Sequence, residues 1–301
     1  MLALAAVLSC SKQHEPAIVP EAVDAVFTVG TEGPMTKAYS DGTTATELTV
    51  AVYRYEGGSA QDNLIYLENV SKQAAINIST TVSLKLIKGE SYEIVFWAQK
   101  PGAGFYTFDT AAKKITVKET GLANDEGRDA FYKVYTTGKV SSAITETVKL
   151  RRPFAQINVL TTLEDWQAAV DNKITFAGSS MTVTAPTVLN VIDGSVSSPK
   201  AYTLEKNSIV SDNPNVPGYA STHKYVAMDY ILAGAAKAVS DVRFDVYKSG
   251  TDTPLNTWNV ATVPYQRNYR TNIVGDIFSV DGTFNVIIVP EYETPDYKQD
   301  I

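Results

Sequence analysis

Thiol chemistry is almost absent from this chain: 301 residues contain one cysteine, Cys10. A single thiol closes no disulfide, and cysteine-based zinc sites and Cys-His nucleophilic pairs are excluded with it. Histidine is nearly as scarce. His14 and His223 are the only two, and neither has a partner at metal-ligand spacing. A serine triad would have to use His223, with no nucleophile-elbow string beside it. Phosphate-loop and dinucleotide-binding fingerprints are missing as well, so no cofactor is expected and no enzymatic function either. A glycosidase built on two distant carboxylates is the one hydrolytic chemistry that composition leaves open. Positive charge is in deficit: 26 Lys and Arg against 33 Asp and Glu leave a net charge of -7. Nucleic acid is therefore excluded as a partner, since phosphate binding needs a basic surface. No apolar run reaches the roughly 20 residues that a membrane-spanning helix requires.

What is present begins at that cysteine. An apolar stretch, Met1 to Leu8 and then Ser9, leads into Cys10, and Ser11-Lys12-Gln13-His14-Glu15-Pro16 turns polar at once. Val7-Leu8-Ser9-Cys10 resembles a bacterial lipobox, in which the cysteine is lipidated and becomes the mature N-terminus. Cys10 is the expected lipid-attachment residue and the outer membrane the expected location, with the protein held at the cell surface by its acyl chains. Each buried methylene contributes roughly 0.8 kcal/mol, so stable attachment needs two or more chains. No basic residue precedes the apolar stretch, so the reading frame is expected to start further upstream.

Tyrosine (17) outnumbers phenylalanine (10), and methionine is down to 4. Short segments alternate with period two, the mark of strands with one buried face. Leu48, Val50 and Val52 form one such row. Val82, Leu84 and Leu86 form another, and Tyr92, Ile94 and Phe96 a third, alternating with Glu93, Val95 and Trp97. In the second half Ile157 and Val159, then Val242, Phe244 and Val246, then Phe284, Val286 and Ile288 repeat the pattern. Turn-formers such as Glu56-Gly57-Gly58-Ser59 and Lys88-Gly89-Glu90 separate them. The expected class is all-β: two antiparallel β-sandwich domains with one short helix in the second. That helix should start at an N-cap, Thr162, with Asp165 three residues on, and bury Leu163, Trp166 and Val170. Trp166 is read as a packing residue. The boundaries are 1–22 for the leader and tether, 23–152 for the first sandwich and 153–301 for the second, the break being set by Arg151-Arg152-Pro153. Asp193-Gly194-Ser195 reads as a turn. So do Asp212, Asn213 and Asn215, which offer oxygen ligands without the pattern of a calcium loop.

Three strings resemble the fimbrillins that build type V pili on Bacteroidales, and in particular their Mfa-like relatives. They are Ser40-Asp41-Gly42-Thr43-Thr44-Ala45-Thr46-Glu47-Leu48-Thr49-Val50-Ala51-Val52-Tyr53, Arg152-Pro153-Phe154-Ala155-Gln156-Ile157-Asn158-Val159, and Val263-Pro264-Tyr265-Gln266-Arg267-Asn268-Tyr269-Arg270-Thr271-Asn272-Ile273-Val274-Gly275. The resemblance implies transthyretin-like sandwiches, export as a lipoprotein, and proteolytic removal of the leader with one N-terminal strand. It also implies refilling of the vacated groove by a strand of the next subunit. Other pilin subunits in a head-to-tail polymer are then the partners, beside the outer membrane and a host or bacterial surface ligand. The best-known members are processed after an arginine, and no arginine precedes Arg54 here. Lys37, after the candidate strand Ala25 to Val29, is the processing residue this chain offers. The donor is expected in Thr283 to Val289. The alternative is an uncut anchoring or stand-alone surface lipoprotein that binds glycan or protein, with Tyr219, Tyr225 and Tyr230 as the aromatic candidates.

Overall fold

A computed structural model of the chain describes residues 20–31, 41–57, 64–73, 75–76, 78–214, 218–279 and 284–290. Its fold is all-β with one α-helix, as the alternation predicts. Among the described residues eighteen strands form four sheets, and α1 (Leu163–Asp171) is the one α-helix.

The first sheet has the order β10-β1-β4 and is built from β1 (Ala22–Thr31), β4 (Thr80–Ile87) and β10 (Ile144–Leu150). The second has the order β3-β2-β5-β9, from β2 (Glu47–Tyr55), β3 (Leu64–Gln73), β5 (Tyr92–Gln99) and β9 (Phe131–Thr136). Their facing rows make one core. It contains the expected Leu48, Val50, Val52, Val82, Leu84 and Leu86, together with Ile94, Phe96 and Phe131.

The third sheet is β14-β11-β17-β18, from β11 (Phe154–Thr162), β14 (His223–Leu232), β17 (Tyr269–Gly275) and β18 (Phe284–Pro290). In the fourth, β16 (Asn256–Tyr265), β15 (Ala238–Lys248), β12 (Phe176–Asn190) and β13 (Val196–Asn207) lie side by side. The expected break at Pro153 falls in the turn between β10 and β11. Three short strands from before it, β6 (Tyr106–Asp109), β7 (Lys114–Val117) and β8 (Thr120–Leu122), extend the fourth sheet, through β7 on β12 and β8 on β13. Three pairings run parallel: β1 with β10, β11 with β17, and β13 with β8. A parallel neighbour cannot be reached by a tight hairpin, so each is made by a distant part of the chain.

Two expectations about side-chain direction need correction. β5 does not bury one face only: Val95 and Trp97 are as buried as Ile94 and Phe96. The second face of this sheet is covered by the β6–β7 hairpin and the start of β11. Trp97 packs edge-on against Tyr106 at 5.2 Å and Phe154 at 6.5 Å, and the Tyr53 hydroxyl donates to the Thr110 carbonyl at 2.9 Å. The helix is also turned from the orientation expected. Thr162 caps it as predicted, its Oγ1 accepting from the Asp165 N–H at 3.1 Å. Leu163 and Val170, however, are 41% and 48% exposed, and the buried residues are Asp165 and Ala169. The cause is the acid. Asp165 Oδ2 accepts from Thr161 Oγ1 at 2.7 Å and from the Phe278 N–H at 2.8 Å, and a buried carboxylate with two donors fixes which face points inward.

The Arg152-Pro153 junction is tied down by charge. Arg152 is fully buried, with Nε 2.5 Å from Asp129 Oδ1 and an Nη 2.7 Å from Asp129 Oδ2, and its guanidinium lies 4.4 Å from the Phe131 ring centre. This fork geometry is the strong form of the pair.

Candidate functional site

β1 is the element whose placement bears most on function. Its sequence alternates, and the alternation settles its direction: Ala25, Phe27 and Val29 are fully buried, while Asp24 and Thr28 face outward. The Phe27 ring meets Phe96 at 5.4 Å and Tyr135 at 5.2 Å, both edge to face, a favoured aromatic arrangement. β1 is also the middle strand of its sheet. One edge pairs with β10, from Ala25↔Ile144 to Thr31↔Leu150, and the other with β4, from Ala22↔Ile87 to Val29↔Thr80. The far end is fitted closely: the Thr31 N–H donates to the Ile76 carbonyl at 3.0 Å, and a Cβ on Gly30 would meet that oxygen at 3.3 Å. Exposed ion pairs, Lys85–Asp24 at 2.5 Å and Lys88–Glu21 at 3.0 Å, border the near end and contribute little, typically under about 1 kcal/mol.

Without β1, the seat is a trough with two unpaired sheet edges and an apolar floor. Unpaired edges are templates for another strand, and a strand that fills such a trough gains ladder hydrogen bonds and side-chain pockets together. The register and the contributions of Tyr135 and Ile76 come from segments far along the chain and could not be read from the alternation of β1. Cys10 and Lys37, the expected lipidation and processing residues, lie outside the described residues, as does His14.

The other candidates resolve into structure. Asp193-Gly194-Ser195 is a turn, with the Ser195 N–H donating to Asp193 Oδ1 at 2.7 Å. Asp212 pairs with Lys224 at 3.0 Å, and Asn213 Oδ1 accepts from the same lysine at 3.1 Å, so these oxygens serve an ammonium; Asn215 lies outside the described residues. Among the described residues no group of three or more His, Cys, Asp or Glu is placed to hold a metal ion. Tyr225 and Tyr230 are buried, so the expected aromatic platform near the long loop does not form. Both sit on β14, whose two faces are covered. Tyr219 is half-buried and packs edge-on against His223 at 4.8 Å.

One buried acid has an unusual electrostatic setting. Asp229, on β14, accepts the Asn124 N–H on Oδ1 at 2.9 Å, while Oδ2 has no hydrogen-bond partner among the described residues. Asn124 is itself held by Ser179, by the Asn207 carbonyl and by the Met228 N–H. Burial pushes the Asp229 carboxyl up to about 7, with Asp125 adding to the rise and the Asn124 hydrogen bond and Arg128 opposing it.

A protein-family model, DUF6562, described as a family of unknown function, matches residues 19–301. No curated protein matches the chain. Among solved structures, a fimbrial assembly protein from Parabacteroides distasonis is similar at 12% identity and a TM-score of 0.45, over 94% of this chain and 100% of that one. The tip fimbrial protein Mfa3 from Porphyromonas gingivalis, with a C-terminal truncation, is similar at 10% identity and a TM-score of 0.47, over 89% and 99%. The fimbrial anchor protein Mfa2 of the same species is similar at 12% identity and 0.45, over 90% and 97%.

Proposed function

The chain belongs to the DUF6562 family, and from its geometry we propose that it is a structural subunit of a cell-surface fimbria. In this reading it is exported as a lipoprotein acylated on Cys10 and cut after Lys37. It then assembles head to tail when a neighbour's strand fills the seat that β1 leaves. The observation that carries the reading is the position of β1. It is central in a three-stranded sheet, it buries Ala25, Phe27 and Val29, and it forms no hairpin with either ladder partner. It can leave without breaking a turn, and what it leaves demands a replacement. The segment Thr283 to Val289, expected as the donor, overlaps β18, which lies at the edge of the third sheet and pairs with β17 alone. An edge strand with one ladder is the least costly to lend. A head-to-tail contact of this kind does not close on itself and yields a filament.

The test is a comparison of wild type with Lys37→Gln, each treated with a trypsin-like protease and followed by sedimentation and N-terminal sequencing. The reading expects filaments, with a new N-terminus at Ala38, from wild type only. Equal filament yield from the variant sinks processing at Lys37. An intact leader on the wild-type surface protein favours the uncut anchoring lipoprotein instead.

A further inference from the structure

Beside α1 the rings of Trp166, Phe176 and Phe278 meet one another edge to face at 5.7–5.9 Å. With Ala169, Val170 and Ile174 they line an open pocket of about 330 Å³. All three rings are only half-buried, and Val170 is 48% exposed. An apolar concavity left open to water in this way is a binding feature. Its volume lies at the lower end of the roughly 300–1,000 Å³ of ligand pockets, so the occupant is small, one short chain or one ring system.

Two polar residues complete the lining, Lys173 and Thr175. The end of α1 explains how the lysine comes to be there. The helix closes in a Schellman turn: the Lys173 N–H donates to the Val170 carbonyl at 3.0 Å and the Ile174 N–H to the Ala169 carbonyl at 2.9 Å. That turn holds Lys173 at a φ of +62°, in the left-handed region where glycine is the usual residue because a Cβ is strained there. Fold stability alone would favour glycine. What the lysine adds is a side chain in the pocket wall, and that side chain is not committed elsewhere. Neither the Lys173 ammonium nor the Thr175 hydroxyl has a hydrogen-bond or ion-pair partner among the described residues. The acids of α1 stay out of the lining: Asp165 is bonded to Thr161 and the Phe278 N–H, and Asp171 accepts from Gln167. Lys173 is thus the one charged group among the lining residues, and its sign selects an anion. One ammonium and one hydroxyl match the two oxygens and single charge of a carboxylate.

We propose that this pocket binds a small amphiphilic anion, an apolar chain or ring ending in a carboxylate. The apolar body lies against Trp166, Phe176 and Phe278, and the carboxylate meets Lys173 and Thr175. The assignment is independent of the fimbrial reading, since it needs neither acylation, nor cleavage, nor strand exchange.

The test titrates the full chain by calorimetry with octanoate, octanol and octylamine, which share one chain and differ in head group, and with phenylpropionate. Octanoate should bind about three- to tenfold more tightly than octanol, the gain that one partly exposed ion pair supports, with octylamine the weakest. Added salt should shrink that preference. Tighter binding of octanoate than of phenylpropionate assigns an aliphatic body, and the reverse order an aromatic one. Lys173→Gly should abolish the preference for the anion and, by relieving the left-handed position, leave the thermal midpoint unchanged or higher. Lys173→Arg should keep the preference. Val170→Asp, at an exposed lining position, should weaken octanoate by about tenfold or more, whereas Val239→Asp, exposed and outside the lining, should leave it unchanged. Failure of both carboxylates to bind, equal binding of the three octyl compounds, or a Lys173→Gly variant that keeps the preference overturns the assignment. So does a Lys173→Gly variant that melts well below wild type, because the lysine would then serve the fold.

Discussion

Asp229 should make this protein less stable as the pH rises through the weakly acidic range, against the usual behaviour of carboxylates. The group is buried between β14 and the segment that carries Asn124, and its pKa stands near 7 against an ordinary 3.8. Between those values the folded chain holds a proton that the unfolded chain has released. Unfolding then releases protons, and stability falls with rising pH in that window. Each unit of displacement is worth about 1.4 kcal/mol, so the full penalty is about 4 kcal/mol, complete above pH 7 and absent below pH 4. Asp229→Asn removes the titration and keeps a carbonyl oxygen for the Asn124 N–H. Its amide hydrogens meet the place where Oδ2 has no partner among the described residues, at a cost of about 1–3 kcal/mol. The variant should therefore be more stable than wild type by about 1–3 kcal/mol at pH 8 and no more stable at pH 4. Urea unfolding at intervals from pH 4 to 8 reads the difference directly, free of every other titrating group that the two proteins share. Stability curves that run parallel across this range would refute the reasoning, as would a wild type that gains on the variant with rising pH.

Phe27→Ala should cost about 3–5 kcal/mol, as truncations of buried aromatics do, and urea unfolding of the intact chain measures it; a loss under about 1 kcal/mol would mean that β1 is not held by its buried row. Asp129→Ala removes the forked carboxylate from the buried Arg152 guanidinium and should cost about 3–5 kcal/mol. Lys85→Ala at the exposed Lys85–Asp24 pair should cost under about 1 kcal/mol, and equal losses at the two pairs would contradict the burial argument. Cys10→Ser should release the protein from the membrane fraction, scored by fractionation and mass spectrometry, and normal retention would end the lipoprotein reading.

The sequence made visible whatever depends on near neighbours. The rows Val82-Leu84-Leu86 and Ala25-Phe27-Val29 point inward as their alternation requires, and Thr162 caps α1 through the Asp165 N–H. What was hidden depends on partners far along the chain. Period two shows that Ile94 and Phe96 share a face. It does not show that the hairpin of β6 and β7 will cover Val95 and Trp97 on the other, although two large apolar residues at nominally outward positions were the available sign. The helical stripe of Leu163, Trp166 and Val170 was outweighed by one carboxylate, because Thr161 and Phe278 offer Asp165 hydrogen bonds that only its buried orientation can take. The ring cluster of Trp166, Phe176 and Phe278 is assembled from positions that no spacing rule connects.

The same distinction between local and distant contacts explains why β1, among the strands of the first two sheets, suits exchange. β2 and β3 are antiparallel neighbours that follow one another directly, so removing either would tear a connection as well as a ladder. β1 has no such companion. Its partners are β4 and β10, the second of them parallel, and both are reached only after the chain has built other strands. Parallel pairing excludes a tight turn between β1 and β10, and β2 and β3 intervene before β4. The strand is therefore held chiefly by its two ladders and three buried side chains. Those are the interactions that an incoming strand of like alternation can replace one for one, because side chains that point inward at every second residue fit the same trough whichever copy supplies them.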